Sequence, residues 1–184
     1  MSAPVVTMRA LKTAADRRGA MSTPEPVPGW ARRTGHVTID GLDPVDPSAA
    51  ADRLAIAERV HLYGWGYDER DRDLLGECFT VDATWEGHIM GTDTVGPFSG
   101  RDAVVDFLTG FWHEQTDQRR HIFTNVVVSD LTDADAVAHA YLMLTAAAGG
   151  EMTSVTNGPY RFELRNDDGI WLISRLAAGF DAPF

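Results

Sequence analysis

Apolar residues follow a helical period in the first part of this chain and form strand-like runs beyond residue 117. Ile56, Val60, Tyr63 and Tyr67 recur every three or four residues, which places them on one face of a helix. Beyond residue 117, runs rich in β-branched and aromatic residues alternate with turn sequences such as the Asn-Asp-Asp-Gly of residues 166–169. Helices followed by a series of neighbouring strands are typical of an α+β fold and argue against a parallel βαβ fold.

The same patterns give an approximate position for each element. Helices are predicted at residues 49–67 and 101–114, with a shorter one between them that ends at Cys78. Strands are predicted at residues 80–86, 120–129, 136–148, 151–165 and 170–176. Residues 87–100 contain four glycines and a proline, so we predict a loop or lid there.

The length of 184 residues favours a single domain. We predict that residues 49–184 form this domain and that residues 1–48 are a mostly irregular N-terminal extension. The reason is a proline-rich stretch at residues 23–29, which neither a helix nor a central strand tolerates. Within the extension, Trp30 and the Val-Thr-Ile of residues 37–39 are apolar enough to pack on the domain as a strap.

Charge and hydropathy limit the classes of partner that this protein can bind. The net charge of -11 argues against binding to nucleic acid, because an acidic chain repels a phosphate backbone. No apolar run approaches the roughly 20 residues that span a bilayer, and the N-terminus lacks the apolar stretch of a signal peptide. We therefore expect a cytoplasmic protein that binds neither nucleic acid nor membrane. The single cysteine, Cys78, lies in an apolar run and is predicted to be a buried thiol.

Four segments carry a family resemblance. They are residues 63–75, the Phe-Thr-Val-Asp-Ala of residues 79–83, the Arg-His-Ile-Phe-Thr-Asn of residues 120–125, and the Asp-Gly-Ile-Trp of residues 168–171. In their order and spacing the chain resembles the nuclear-transport-factor-2-like (NTF2-like) superfamily over residues 50–180. It is most similar to the SnoaL-like branch, which includes polyketide cyclases, scytalone dehydratase and bile-acid dehydratases. The resemblance implies a cystatin-like α+β barrel, in which a curved antiparallel sheet wraps around N-terminal helices to form a cone with an internal pocket.

The resemblance also implies roles for individual residues. Tyr67 and Asp68 match a Tyr-Asp pair that flanks the dehydratase pocket, and His121 matches a pocket histidine that acts as general acid and base. Other positions depart from scytalone dehydratase. Ala83 stands where that enzyme has a second pocket tyrosine, Ala147 falls near its second histidine, and its late polar pair falls near Gly158 and Tyr160. The resemblance therefore implies one acid/base dyad without the specific scytalone reaction.

The chemistry of the candidate catalytic residues is independent of the family. Histidine has an unperturbed pKa of about 6.5, so a side chain such as His121 both takes and gives protons near neutral pH. A carboxylate such as Asp68 would fix the histidine tautomer and stabilise the imidazolium. The phenol of Tyr63 or Tyr67 could polarise a carbonyl or hold a water. The alternative is that Asp68 belongs to the solvated charged run that follows it and that the tyrosines are core residues.

Seven further residues are candidates for substrate binding: Trp65, Trp85, His88, Phe123, Asn125, Tyr141 and Tyr160. The aromatic residues could line an apolar pocket, although each could equally be plain core. His88 lies in the glycine-rich segment and could reach a pocket mouth, and Asn125 shares strand parity with His121. The sequence does not assign His139 to either face of its strand.

No cofactor is expected. The six histidines show neither His-x-His nor His-x-x-x-His spacing, which argues against a metal site. The chain also lacks the glycine-rich patterns of nucleotide-binding loops and the Gly-x-Ser-x-Gly of a nucleophile elbow.

Three functions remain open at this level. The first is a cofactor-free lyase or isomerase of secondary metabolism that dehydrates, isomerises or cyclises an apolar polyketide-like or steroid-like small molecule. The second is a noncatalytic small-molecule-binding or dimerisation module, since the resembled fold also serves as scaffolds and as small subunits of ring-hydroxylating dioxygenases. The third, epoxide hydrolysis, needs a carboxylate–arginine arrangement in the pocket that the sequence does not reveal. In each case we expect a homodimer. The late strands carry apolar residues on both faces of the sheet, so one face can enclose the pocket and the outer face needs a partner.

Overall fold

The computed structural model describes residues 27–39 and 46–182. The expectations for residues 1–26 and 40–45 therefore lie outside the described residues. The helices are α1 (Trp30–Arg33), α2 (Ala50–Asp68), α3 (Arg72–Glu77) and α4 (Arg101–Thr109), with a 3-10 turn at Pro47–Ala49 before α2. No helix in this part of the chain is long and apolar enough to cross a membrane.

Six strands form one curved, unclosed sheet. They are β1 (Phe79–Ile89), β2 (Asp93–Ser99), β3 (Gln118–Ser129), β4 (Asp135–Ala148), β5 (Glu151–Asp167) and β6 (Ile170–Phe180). Their order is β2-β1-β6-β5-β4-β3, so β2 and β3 are the edges. All neighbours are antiparallel except β1 and β6, which are parallel. Register shifts in every one of these pairings bend the sheet around the helices, and the predicted α+β cone is confirmed.

Helix α2 lies against the concave face of the sheet through its apolar stripe. Ile56 and Val60 are fully buried, and the ring of Tyr63 packs edge-to-face on Phe79 and Phe162. Burying a side chain of this size contributes about 1.5–3 kcal/mol relative to leaving it exposed. The stripe therefore holds the end of α2 in place over the sheet, which matters because the last residue of α2 belongs to the candidate site.

The turn between α2 and α3 is tightly packed. Gly66 approaches the backbone of Leu75 so closely that a Cβ at residue 66 would lie 2.8 Å from the Leu75 nitrogen. The carboxylate of Asp71 caps α3 by accepting a hydrogen bond from the Leu74 N–H at 2.9 Å. The charged run after α2 thus contains a helix cap, and α2 ends at Asp68.

The segment predicted as a loop or lid differs from expectation. Residues 87–100 contain the end of β1 and the whole of β2, which pair as an antiparallel hairpin. Pro97 is compatible with β2 because β2 is an edge strand, where a missing N–H need not break a ladder on its free side. Helix α4 is also shorter than predicted and ends at Thr109, and Gly110 and a turn follow it.

The described N-terminal segment, residues 27–39, packs on β4, on the middle of β5 and on the residue that follows β6. The indole of Trp30 donates to Asp181 Oδ1 at 2.6 Å, and His36 Nε2 lies 2.7 Å from the Pro159 carbonyl oxygen. The Thr38 N–H points at His139 Nε2 at 3.5 Å. His139 is accordingly buried on the outer face of the sheet, under this segment.

Candidate functional site

The side chains of Asp68 and His121 are joined in the folded protein. Asp68 is the last residue of α2, and His121 lies on the edge strand β3. Asp68 Oδ1 lies 2.6 Å from His121 Nδ1, and Asp68 Oδ2 accepts the backbone N–H of His121, also at 2.6 Å. Only 7% of the His121 side chain and 6% of the Asp68 side chain are exposed. Since an ionised carboxylate only accepts hydrogen bonds, the proton lies on Nδ1, and Nε2 is the free nitrogen.

The position of Asp68 is electrostatically unfavourable for the helix that carries it. A carboxylate at a helix C-terminus faces the negative end of the helix dipole and the unpaired carbonyl groups. The two bonds from His121 offset this cost, and the Gln118 side chain donates to the Asp68 carbonyl oxygen at 2.9 Å. The contacts with His121, rather than helix stability, therefore account for a carboxylate at this position.

His121 lines a cavity of about 590 Å³ in the cone between the helices and the sheet. A cavity of this volume is within the range of small-molecule sites. Its apolar lining comes from Trp85, Ile89, Val95, Phe107, Leu108, Phe111, Leu144, Val155 and Phe180. Its polar lining comes from Tyr63, Tyr67, Glu114, Gln115, Thr116, Asp117, Arg119, His121 and Tyr160. The cavity is therefore lined by aromatic and aliphatic side chains together with polar residues that include the histidine.

Three tyrosines, Tyr63, Tyr67 and Tyr160, line the cavity. Burial raises the pKa of Tyr63, Tyr67 and Tyr160, so each stays a neutral phenol near neutral pH. The ring of Tyr67 lies 4.7 Å from the His121 ring, centroid to centroid, and its oxygen accepts a hydrogen bond from Gln115 Nε2 at 3.0 Å. Because that bond uses the phenol oxygen as acceptor, the Tyr67 proton remains free to be donated.

An ion pair between Asp117 and Arg119 also lines the cavity, and sequence reasoning missed it. Arg119 Nε lies 3.1 Å from Asp117 Oδ1, and Arg119 Nη2 lies 3.4 Å from Asp117 Oδ2. The signal that could have found it is parity, since Arg119 precedes His121 by two residues on β3 and faces the same side. The carboxylate–arginine arrangement that the sequence did not reveal is thus present in the cavity.

The predicted substrate-binding residues divide into those at the cavity and those elsewhere. Trp85 and Tyr160 line the cavity. Phe123 lies behind the histidine instead, where its ring is 6.3 Å from the His121 ring and 5.4 Å from the Tyr160 ring. Phe123 therefore packs against two of the lining residues but does not line the cavity itself.

The other four predicted residues, Trp65, His88, Asn125 and Tyr141, do not line the central cavity. Trp65 is 60% exposed, because it lies on α2 opposite the buried stripe. Tyr141 is 55% exposed on the outer face of β4, since its neighbours Ala140 and Leu142 occupy the inner face. Both side chains therefore point away from the cavity.

His88 and Asn125 are displaced for different reasons. His88 is on β1, where its ring contacts that of His36 and its Nε2 lies 3.4 Å from Glu86 Oε1, so its side chain lies under the N-terminal segment on the outer face of the sheet. Asn125 has a φ of 53° at the register shift between β3 and β4, which breaks the alternation that linked it to His121.

Two further expectations concern Cys78 and metal ions. Cys78 is fully buried, as predicted, and burial raises the pKa of its thiol. Within residues 27–39 and 46–182, no group of three or more His, Cys, Asp or Glu side chains is arranged to hold a metal ion.

Comparison with known proteins places the chain among proteins of this architecture. A family model described as a SnoaL-like domain matches residues 48–177. A solved structure from Catenulispora acidiphila in complex with S-DNPA is 26% identical, with a TM-score of 0.61, covering 72% of this chain and 95% of that one. The hexachlorocyclohexane dehydrochlorinase LinA-type3 from Novosphingobium barchaimii LL02 is 20% identical, with a TM-score of 0.59, covering 74% of this chain and 91% of that one.

An NTF2-like protein with a cystatin-like fold from Novosphingobium aromaticivorans is 22% identical, with a TM-score of 0.60. The alignment covers 77% of this chain and 92% of that one. None of the curated proteins matches the sequence.

Proposed function

The chain belongs to the SnoaL-like domain family, and from this premise we propose that it is a cofactor-free acid/base enzyme acting on an apolar small molecule. The proposed reaction removes a proton next to a carbonyl group and then either expels a hydroxyl group or moves a double bond. Dehydration, double-bond isomerisation and aldol-type cyclisation all share this first step. The proposed substrate is a ring compound of polyketide or steroid type.

The observation that carries the proposal is the orientation of His121. Asp68 holds Nδ1 at 2.6 Å, and the ring lines a cavity large enough for a small molecule. A histidine that is held by a carboxylate on one nitrogen has the other nitrogen free to act as a base. The imidazolium that forms is stabilised by the adjacent carboxylate, so the proton can be held until the second step.

The proposed mechanism uses residues of this chain alone. His121 Nε2 takes the proton from the carbon next to the carbonyl, and the C–H electron pair forms an enolate. The Tyr67 hydroxyl donates to the carbonyl oxygen while negative charge develops there. In an elimination, Nε2–H returns the proton to the leaving hydroxyl as the C–O bond breaks, and water departs. In an isomerisation, Nε2–H instead gives the proton to the far carbon of the conjugated enolate.

The cavity lining supports an aromatic or fused-ring substrate. Trp85 and Phe107 lie with ring centroids 4.8 Å apart, and Phe98 stacks on the outer side of Phe107 at 3.9 Å. Flat apolar walls of this kind bind ring systems by burying apolar area. The Catenulispora acidiphila structure, solved in complex with S-DNPA, is consistent with a small-molecule site in this fold.

A substrate panel tests the proposal. The purified protein is incubated with cyclic β-hydroxyketones and with β,γ-unsaturated cyclic ketones, and the conjugated enone product is followed by its ultraviolet absorption. We expect turnover of at least one class, and His121→Gln should lower it by about 10²–10⁴-fold. His113→Gln is the matched control, because the His113 side chain is 73% exposed.

The main alternative is a noncatalytic binding module. It predicts that ring compounds bind, that none is converted, and that His121→Gln leaves their affinity unchanged. That combination of results would reject the enzymatic proposal.

Epoxide hydrolysis is a second candidate, and the Asp117–Arg119 pair favours it. Asp117 would take a proton from an attacking water, while the epoxide oxygen, held by Arg119, would receive a proton from Tyr67 as the ring opens. Styrene oxide is a suitable probe, with the diol as product. Asp117→Asn should abolish diol formation, whereas the ketone reaction should depend more on His121 than on Asp117.

A further inference from the structure

We propose that Arg119 is a further catalytic residue, whose guanidinium binds the oxyanion formed when His121 removes a proton from the substrate. The Tyr67 hydroxyl completes this oxyanion-binding position. The inference rests on the proposed acid/base function, and it assigns a role to a residue outside the Asp68–His121 dyad.

The placement of Arg119 follows from the strand that carries it. Arg119 and His121 are two residues apart on β3 and both line the cavity. Residues with this separation on a strand are about 7 Å apart along it. At this spacing His121 can take the proton of a H–C–C=O unit while Arg119 binds its oxygen. The long Arg119 side chain lets the guanidinium approach that oxygen.

Asp117 holds the guanidinium by one edge. The Nε and Nη2 groups of Arg119 donate to the two Asp117 oxygens, and no described residue accepts a hydrogen bond from Nη1. The Arg119 side chain is 21% exposed, so the group is neither free in solvent nor fully enclosed. Its unused N–H groups are therefore donors that a ligand in the cavity can engage without displacing Asp117.

Charge balance explains why such a residue can be kept in an apolar cavity. In the resting protein the Asp117 carboxylate neutralises Arg119, which limits the cost of burying the cation. When the substrate becomes an enolate, the pair gains a second anion to bind. Donors fixed in advance at the place where charge develops stabilise a transition state more than water does, because they need little reorganisation.

Tyr67 lies within the electrostatic influence of Arg119. Burial raises the pKa of Tyr67, the bond from Gln115 and then the Arg119 charge lower it, and the Asp68 and Asp117 carboxylates raise it. Since Gln115 donates to the Tyr67 oxygen, the phenol proton points elsewhere, and the cavity is the open direction. Two donors of different kind thus flank one volume beside His121.

The test uses 4-nitrophenol, an aromatic probe whose phenolate mimics an enolate and absorbs visible light. The protein is titrated with the probe across a pH series, and absorption reports the fraction of bound probe that is ionised. A cation within a few ångströms lowers the pKa of an acid by about 1–3 units. We therefore expect the bound probe to ionise about 1–3 pH units below the free probe, with phenolate favoured over phenol by about 10- to 1000-fold.

The variants separate this inference from the proposed dyad. Arg119→Met should lose the preference for phenolate, and Arg119→Met/Asp117→Asn should lose it too, which shows that an unpaired Asp117 is not the cause. Arg120→Met is the matched control, because Arg120 faces the exterior and pairs with Glu69 at 3.0 Å. His121→Gln should retain the preference, whereas the dyad's own proton transfer should fail in that variant.

Three results would overturn the inference. One is an unchanged preference for phenolate in Arg119→Met and in the double variant, since another group would then hold the anion. A second is the absence of phenolate binding by the wild-type protein at millimolar probe. Loss of the preference in His121→Gln alone would show that His121 takes the phenol proton itself, which supports the dyad while rejecting the role of Arg119.

Discussion

The two oxygens of Asp68 bind two different groups of His121, the backbone N–H and the ring Nδ1, each at 2.6 Å. The first bond fixes the strand relative to the helix, and the second fixes the tautomer of the ring. In Asp68→Asn the amide oxygen can keep the backbone bond, but the amide NH₂ then faces Nδ1. We expect the His121 proton to move from Nδ1 to Nε2, which converts the proposed base into a donor.

Nitrogen-15 NMR of the histidine rings measures this change directly and needs no substrate. Wild-type His121 should show a protonated Nδ1 and a bare Nε2, and Asp68→Asn should show the reverse. Activity, once a substrate is known, should fall nearly as far as in His121→Gln. Retention of the Nδ1–H tautomer in the variant would contradict the proposed role of Asp68.

We expect the buried His139 to make the free energy of unfolding depend on pH. Burial, and secondarily the charge of Arg161, lowers its pKa from 6.5 to about 4 in the folded protein. Between these two values the unfolded chain binds a proton that the folded protein does not, so the free energy of unfolding falls as the pH drops through this range. The slope for one proton is at most about 1.4 kcal/mol per pH unit, and the effect levels off below pH 4.

Urea unfolding at several pH values measures this slope. His139→Gln should flatten the dependence relative to wild type, while the exposed His113→Gln should leave it unchanged. An equal slope in wild type and His139→Gln would show that His139 does not contribute. Burial also lowers the pKa of His36, so this residue acts in the same direction.

Residue type and family pattern were enough to pair Asp68 with His121, because both lie in regular elements whose ends are marked in the sequence. They were not enough for Asn125 or Arg119. Alternation along β3 assigned Asn125 to the inner face, but a register shift after Thr124 reverses the parity there. The same alternation places Arg119 inside, yet an arginine next to another arginine in a polar stretch resembles a surface residue until the cavity is known.

At the scale of elements, the close packing of α2 on α3 gives a prediction about two helical glycines. A Cβ on Gly66 would lie 2.8 Å from the Leu75 nitrogen and 2.9 Å from its Cα, and both are backbone atoms that cannot move cheaply. We expect Gly66→Ala to lower the free energy of unfolding by about 1–3 kcal/mol. Denaturant midpoints at constant slope measure this change.

Gly76 is the matched control. It lies within α3, and a Cβ there would meet only Val105 Cγ2 at 3.9 Å, an ordinary contact. Gly76→Ala should therefore stabilise the protein by about 0.5–1 kcal/mol, because alanine loses less backbone entropy in a helix. Destabilisation by both substitutions would show that the helices, rather than this one approach, are intolerant of a methyl group.

The spacing of the apolar residues correctly predicted the type and order of most elements. The predictions were wrong for residues 87–100 and for the end of α4. The glycines and Pro97 within residues 87–100 indicated a loop, but an edge strand needs hydrogen bonds on one side only, so β2 forms despite them. For α4, the apolar Phe111 and Trp112 extended the predicted helix past Gly110, whereas the chain turns there and brings Gln115 to Tyr67. Tertiary contacts, which local patterns do not contain, decided both cases.

At the scale of the whole molecule, homodimerisation remains a prediction. Tyr141 and Met143 on the outer face of β4 are 55% and 52% exposed, and Ile122 on β3 is 43% exposed. Such an apolar face favours burial against a second copy. Light scattering should give about twice the chain mass of 20.1 kDa for the wild type.

A charged substitution on this outer face should prevent dimerisation, and one elsewhere on the sheet should not. Met143→Arg should reduce the measured mass to that of one chain, while Val81→Arg, at a residue that is 75% exposed on β1, should not. A wild-type protein that is monomeric at micromolar concentration would contradict the prediction.

The strand order has a consequence for how this protein is made. Among the six described strands, β1 and β2 leave the ribosome first, yet they join the sheet only through the parallel pairing of β1 with β6, which is synthesised after the other five. Domains usually begin to fold from the N-terminal side during translation. Here the early hairpin, with the large apolar side chain of Trp85, must wait without its neighbour through the synthesis of three intervening strands. Nascent chains should therefore remain clients of ribosome-bound chaperones until β6 emerges.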